Sequence, residues 1–475
     1  MGLFDLQGWA NGSNLQATAD ISTRLRPVNR ANHGICIHSL TLHGPYPFDT
    51  AGNYTLPSSV EAAARDLLIP FVRIYAGYED KARLGSWSLY ADRLAFLLGR
   101  IGVPAENCIV CIGYPDSSVE VPPSEYALGV NALRAMGIRR FEIENEPYNR
   151  QWRSSPPWSR FTYDGDGEAQ YAEYLMAVWS ALQENWRDGD MLLVNKHPAY
   201  SGTTQYWHRS LLLRTMHYWQ QIAQHRYMPG SVARNAYTLS FEQWVIAVTK
   251  QYTAHLLQDL DLGSKCVTEW WSSSVNSDPG HPAFPNRDGN IYGLIMGAYR
   301  IMYVHEMDGI RSCTKWHLFD GNYANVDETK RFLVLKPYMP SKRGYSYWLF
   351  YYLNRYVGDW LHPVSGTAPI VTLQDAANQN QTALKTPVMV SSTDNRIYIW
   401  LLNCDWSNTV NASITISGRT ISSASGVMLK RDDPDEQGWT DETPAGLVSD
   451  VSATVNANTV SMTLQPHSLV LLEVS

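Results

Sequence analysis

The sequence predicts an α/β chain: a (β/α)8 barrel, the TIM-barrel architecture, followed by an all-β sandwich. From about residue 30 to 350, short apolar runs alternate with amphipathic stretches, the texture of repeated βα units. Beyond about residue 360 helical periodicity vanishes, and Ser, Thr, Asn, Val and Ile alternate in short runs split by turn signals such as Asp394-Asn395 and Ser417-Gly418. The length of 475 residues also exceeds what one hydrophobic core usually serves. The expected layout is a polar N-terminal segment at 1–29 that could lend the sandwich a strand, the barrel at 30–358, and the sandwich at 359–475. No low-complexity linker separates the two domains, so they are expected to pack rigidly.

The barrel strands are read in order. Strand one is Gly34–Ser39, strand two Phe71–Tyr75 after a helix opening near Ser58, and strand three Cys108–Tyr114 after a Trp87–Arg100 helix. Strand four, Arg140–Glu144, follows a Ser124–Met136 helix stopped at Gly137. The helix Glu168–Trp186 carries Tyr171, Tyr174, Leu175, Val178 and Leu182 at helical spacing and leads to strand five, Met191–Asn195. Strand six is placed at Leu211–Tyr218, strand seven at Cys266–Glu269 after a Phe241–Leu260 helix, and strand eight at Ile310–Trp316 after Ile291–His305. A last helix, Ser346–Tyr356, closes the ring. Sandwich strands are read at Val388–Ser391, Arg396–Asn403, Ala412–Ser417, Thr459–Leu464 and Ser468–Val474.

Composition narrows the partner. A net charge of −7 without any Lys/Arg-rich run lacks the footprint of a nucleic-acid binder. No apolar stretch reaches the roughly 18–20 residues of a membrane-spanning helix. The 17 Trp and 28 Tyr suit a neutral, ring-shaped partner such as a carbohydrate, because both side chains pair a flat apolar face with a polar edge. A large barrel core uses aromatics equally well. Cys36, Cys108, Cys111, Cys266 and Cys313 lie in apolar strand-like runs, where Cys acts as a small hydrophobe. The Cys108/Cys111 pair would point to opposite faces of its strand, so neither a metal site nor a disulfide framework is expected. No secretory leader pattern opens the chain, which fits a cytoplasmic protein or, slightly better, a secreted one with its leader removed.

The active site of such a barrel is built at the C-terminal ends of its strands. Hydrolysis of a glycosidic bond needs two carboxyl groups, about 5–5.5 Å apart for retention and ~6.5–9.5 Å for inversion. Strand four runs into Glu144-Asn145-Glu146-Pro147, and Pro147 cannot extend a sheet ladder, so Glu146 stands at the strand's tip. Alternation would put Glu142, Glu144 and Glu146 on one face. Strand seven ends on Glu269, followed by Trp270 and Trp271. A plain surface carboxylate at 146 and a salt-bridge partner at 269 are the bland alternatives; buried lone carboxylates are costly and usually functional.

Asn-Glu-Pro at the end of strand four with a second Glu ending strand seven resembles clan A of the glycoside hydrolases, retaining (β/α)8 enzymes. The resemblance covers residues 30–350, and the trailing sandwich is similar to the accessory domain of families 30, 39 and 51. It implies Glu146 as general acid/base and Glu269 as nucleophile, with no cofactor. It further implies that Asn145 contacts the sugar 2-hydroxyl, that Arg73 supports the ionised nucleophile, and that Trp316 floors the cleavage subsite. The strand-six His/Tyr pair of the clan matches His217-Tyr218. Glu144 stands where relatives more often carry Gly or Trp. His38, Trp270, Trp271 and Trp152 complete the candidate sugar contacts, and the Trp152–Trp158 and Asp278–Asn290 loops could wall a cleft. Asp164-Gly165-Asp166-Gly167-Glu168 looks like the start of a calcium loop without the distal Glu, so an acidic helix N-terminus is the preferred reading. The expected activity is on plant-type carbohydrate, endo-xylanase- or glucanase-like, or exo-xylosidase- or arabinofuranosidase-like. A non-catalytic carbohydrate-binding protein on the same scaffold is the alternative.

Overall fold

The computed structural model describes residues 6, 8–41, 47–75, 77–113, 121–147, 165–196, 209–225, 249, 256–270, 291–315, 318, 334–335, 343–374, 380–433 and 443–475; for Glu269 the description extends to the backbone. Eight parallel strands close a barrel. In chain order they are Gly34–Ile37, Val72–Ile74, Cys108–Cys111, Arg140–Ile143, Met191–Lys196, Gln221–His225, Lys265–Trp270 and Ile310–Lys315. Alternation sorts their side chains. Phe71, Ile109, Leu193, Ala223 and Cys266 form a separate buried cluster inside the barrel, while Val72, Val110, Phe141, Leu192 and Ile222 join the larger core under the helices. All six cysteines are buried, and none is joined in a disulfide.

The helices form for ordinary local reasons. Trp87–Ile101 is capped by Ser86, whose side chain accepts from the Leu89 N–H, and stops at Gly102 with φ +79°. Pro123–Ala135 starts with Pro in its first turn, and Gly137 follows at φ +104°. Gly165–Leu182, Ile291–Glu306 and Tyr345–Leu353 follow strands four, seven and eight. The acidic 164–168 stretch is largely the start of the first of these; Glu168 pairs with Arg214 at 3.2 Å. No helix among the described residues is long and apolar enough to cross a membrane. Most of the 241–260 helix expected from the sequence, and both wall loops, lie outside the described residues.

One strand assignment is corrected. Leu211–Tyr218 is not strand six: Arg209–Thr215 is a helix, with Leu211, Leu212 and Thr215 buried at helical spacing. The sixth strand is Gln221–His225, a half-polar run whose five residues are all buried. An apolar run of this length reads equally as strand or helix, and polar barrel-lining residues mask the true strand.

The second body is a pair of mainly antiparallel sheets. One holds Trp9–Asn11, Val364–Ala368, Leu15–Asp20, Val410–Ser417, Thr459–Leu464 and Thr454–Asn456. The other runs Val448–Ser452, Ala424–Leu429, Ser468–Val474, Ile397–Asn403, Val388–Ser392, Trp360–Leu361 and Arg26–Pro27. Leu15–Asp20 sits between Val364–Ala368 and Val410–Ser417, so the N-terminal segment is built into the sandwich.

Barrel and sandwich share one continuous core. At their junction the Tyr299 hydroxyl donates to the Leu384 carbonyl at 2.7 Å, and the Trp400 indole N–H donates to the Tyr356 carbonyl. Beside them His33 and His305 meet through their Nε2 atoms at 2.7 Å, edge-on to each other and within 6.0 Å of the Trp400 ring. The Asn354 amide N–H₂ donates to the Leu67 carbonyl, so its oxygen faces His33 Nδ1 at 2.8 Å. His33 is therefore the Nδ1–H tautomer, and its Nε2 accepts from His305 Nε2–H. Burial pushes both imidazoles below their ordinary range. A folded pKa below the unfolded value means that the unfolded chain takes up protons first, so stability is lost as pH falls below about 6.5. The expected slope is up to about 1.4 kcal/mol per pH unit for each imidazole. Thermal unfolding between pH 7 and 5 measures it: the Tm should fall on acidification, and His305→Gln should shallow that fall.

Candidate active site

Strand four sets the geometry. Its pairing stops at Ile143, and the chain then turns through left-handed φ values of 58° at Glu144 and 46° at Glu146. Residues with a Cβ seldom occupy this region, at a cost of order 1–3 kcal/mol each. The expectation that Glu142, Glu144 and Glu146 share one face is corrected here, because alternation ends with the strand, three residues before Glu146. Glu142 stays inside the barrel, fully buried. The Glu144 carboxyl instead accepts from the Tyr126 hydroxyl at 3.2 Å on the neighbouring helix. It lies over Gly113, where any Cβ would come within 2.6 Å of its carboxyl carbon. Glu146 is the most exposed of the three, with 14% of its side chain open.

Around Glu146 the strand ends supply a chain of charges. His225, at the end of strand six, places Nδ1 2.7 Å from Glu146 Oε1 and Nε2 3.7 Å from Glu142 Oε1. The first is a hydrogen bond, and the second is electrostatic contact only. Glu142 receives Arg73 Nε at 2.6 Å, and Arg73 Nη2 donates to Asn145 Oδ1 at 2.7 Å. Burial alone would raise the Glu142 pKa, but Arg73 and His225 outweigh it and hold the carboxyl below the usual range. Glu142 is thus a fixed anion, which keeps Arg73 and His225 in place. With its oxygen engaged by Arg73, Asn145 keeps its amide N–H₂ as a donor.

The second carboxylate position depends on a bulge. Strand seven pairs Val267 with Gln224 and Glu269 with His225, two residues against one; on its other side Val267 pairs Cys313 and Trp270 pairs Lys315. The inserted residue shifts the register so that the Glu269 backbone lies opposite His225, the residue bonded to Glu146. Bulges recur beside active sites because they re-aim a position that simple alternation would send elsewhere.

By sequence, the chain matches no protein-family model and no curated protein. By structure it matches closely. The family 51 α-L-arabinofuranosidase of Bifidobacterium longum aligns at TM-score 0.69 with 15% identity, over 97% of this chain and 99% of that one. The family 51 α-L-arabinofuranosidase of Thermotoga petrophila aligns at 0.65 with 14% identity, over 97% and 100%. A family 30 subfamily 8 xylanase of Clostridium acetobutylicum aligns at 0.56 with 11% identity, over 97% and 99%. The fold is that of the family 51 arabinofuranosidases.

On this fold Glu146, Asn145 and Arg73 lie together, with Arg73 bonded to Glu142 and Asn145, and Glu269 enters by its backbone register. His38 stands near the same end, its ring stacked on Tyr75 at 4.7 Å, with the Arg73 guanidinium 5.4 Å from the Tyr75 ring centre. Three assignments are corrected. His217 and Tyr218 lie in the turn before strand six, at the end of the barrel opposite the site, because the strand begins only at Gln221. Trp270 is buried in the core between Arg300, Lys315 and Phe350, so it offers no face to a sugar. Trp316, Trp271 and Trp152 lie outside the described residues. The sequence reading missed His225, Tyr75 and the Arg73–Glu142 pair. His225 ends a run, QIAQH, whose polar and apolar residues do not alternate, so no pattern in the sequence marked it as a strand.

Proposed function

We propose that the protein is a retaining glycoside hydrolase acting on plant-type carbohydrate, with Glu146 as acid/base and Glu269 as nucleophile. The observation that carries this reading is the Glu146 carboxyl, bonded to His225 at the strand ends while strand seven sets Glu269 in register with that same histidine. In the first step Glu269 attacks the anomeric carbon, and the glycosidic C–O bond breaks as Glu146 gives its proton to the departing oxygen. In the second, Glu146 takes a proton from water, whose oxygen displaces Glu269 from the same carbon. Asn145 offers its free amide N–H₂ to a sugar hydroxyl. The anionic Glu142 holds Arg73 and His225 rigidly, so the site needs little reorganisation during reaction.

Within this class an exo-acting arabinofuranosidase is favoured, because the family 51 arabinofuranosidase structures align at 0.63–0.69 against 0.55–0.56 for the glucanase-xylanase and family 30 xylanases. A panel of 4-nitrophenyl glycosides and plant polysaccharides tests it. Release from the α-L-arabinofuranoside, with no shortening of xylan chains, is expected. Shortening of xylan without aryl arabinofuranoside cleavage would move the assignment to an endo-xylanase. Binding of polysaccharide without any product would leave a carbohydrate-binding protein on a glycosidase scaffold.

A further inference from the structure

The strained turn carrying Glu146 needs a brace, and the neighbouring strand and helix provide one. Asn195, at the end of strand five, donates through Nδ2 to the carbonyls of Ile143 at 3.0 Å and Glu144 at 2.5 Å. Tyr171, on the helix after strand four, donates its hydroxyl to the same Ile143 carbonyl at 3.0 Å. That hydroxyl also accepts from the Asn195 backbone N–H at 3.2 Å. Both side chains are fully buried. Three hydrogen bonds thus converge on the two carbonyls at which strand four leaves the sheet and enters left-handed backbone. An ordinary strand end would leave such carbonyls to water or to the ladder.

We infer that Tyr171 and Asn195 are positioning residues for the acid/base: they fix the turn so that the Glu146 carboxyl reaches its place beside His225. The inference rests on the glycosidase reading of Glu146. Neither residue lies within reach of a sugar ring, since each is spent on backbone behind the strand tip. Their effect must therefore pass through the placement of Glu146. Displacing a catalytic group by about 1 Å costs on the order of 100-fold in rate. That loss falls on the step that needs proton donation.

Leaving-group dependence separates this role from a merely structural one. Tyr171→Phe, which removes only the hydroxyl, and Asn195→Ala are compared with wild type on two aryl glycosides of the same sugar, one with 2,4-dinitrophenolate and one with unsubstituted phenolate as leaving group. The dinitrophenolate departs without protonation and phenolate does not. We expect kcat/KM on the phenyl glycoside to fall about 10–100-fold further than on the dinitrophenyl one, with the acidic-form limb of the pH profile displaced. Equal losses on both substrates, or no loss in the correctly folded Tyr171→Phe, would overturn the inference. If wild type cleaves neither glycoside, the glycosidase reading fails instead. The brace is then read from the carbon-13 titration of the Glu146 carboxyl, whose midpoint must move in Tyr171→Phe if the brace sets its surroundings and stay fixed if it does not.

Discussion

Glu269→Ala is expected to lower kcat on the order of 10⁵–10⁶-fold, the scale seen when a hydrolase loses its nucleophile. The fold should persist, because the bulge that sets residue 269 opposite His225 is a feature of the backbone pairing. On the proposed mechanism no glycosyl-enzyme forms without a carboxylate on that side. Azide should then act as an external nucleophile on an activated aryl glycoside, entering from the vacated face and giving a glycosyl azide of inverted configuration. Steady-state rates with and without azide, and the product's anomeric proton coupling, measure the loss and the rescue. Unchanged turnover in Glu269→Ala would remove this residue from the mechanism.

The second large effect belongs to Glu146. On the proposed mechanism Glu146→Ala removes the proton donor and the later base, a contribution of about 10²–10⁴. The two halves of that role separate by leaving group. On a dinitrophenyl glycoside the first step survives, so a burst of phenolate should precede slow hydrolysis of the glycosyl-enzyme. Azide should accelerate the slow phase and give a product of retained configuration, opposite to the Glu269 variant. On unactivated linkages the loss should be near the upper end of the range. His225 loses its hydrogen bond to Glu146 in this variant but keeps Glu142 at 3.7 Å, so the surrounding array should stand.

Much of this arrangement was legible in the sequence, for identifiable reasons. Seven of the eight barrel strands announced themselves as apolar runs between amphipathic helices. Pro147 was a misleading stop signal, because strand four ends at Ile143, four residues before it. The sixth strand failed because three of its five residues are polar: Gln221, Gln224 and His225 broke the apolar pattern, while Leu211–Leu213 on the preceding helix imitated it. That slip displaced the histidine assignment from His225 to His217. Alternation failed at two further places, where the backbone itself departs from a regular strand. Left-handed φ at Glu144 and Glu146 turned three apparently equivalent glutamates into an ion-pair partner, an outward hydrogen-bond acceptor and the accessible carboxyl. The strand-seven bulge shifted the register at Glu269. Neither deviation has a Gly or Asn-Gly signature, and the first is held by tertiary contacts, Asn195 and Tyr171 on the Ile143 carbonyl. Trp270 shows the complementary error, an aromatic read as a sugar platform from its neighbour in sequence and used by the fold as core.

The most direct test of the Glu146–Glu269 assignment is the configuration of the first sugar released. Proton NMR of the anomeric signal, recorded within minutes of adding enzyme and before mutarotation, should show the same anomer as the substrate, passing only later to the equilibrium mixture. A first-formed product of inverted configuration would contradict the double displacement and with it the role given to Glu269.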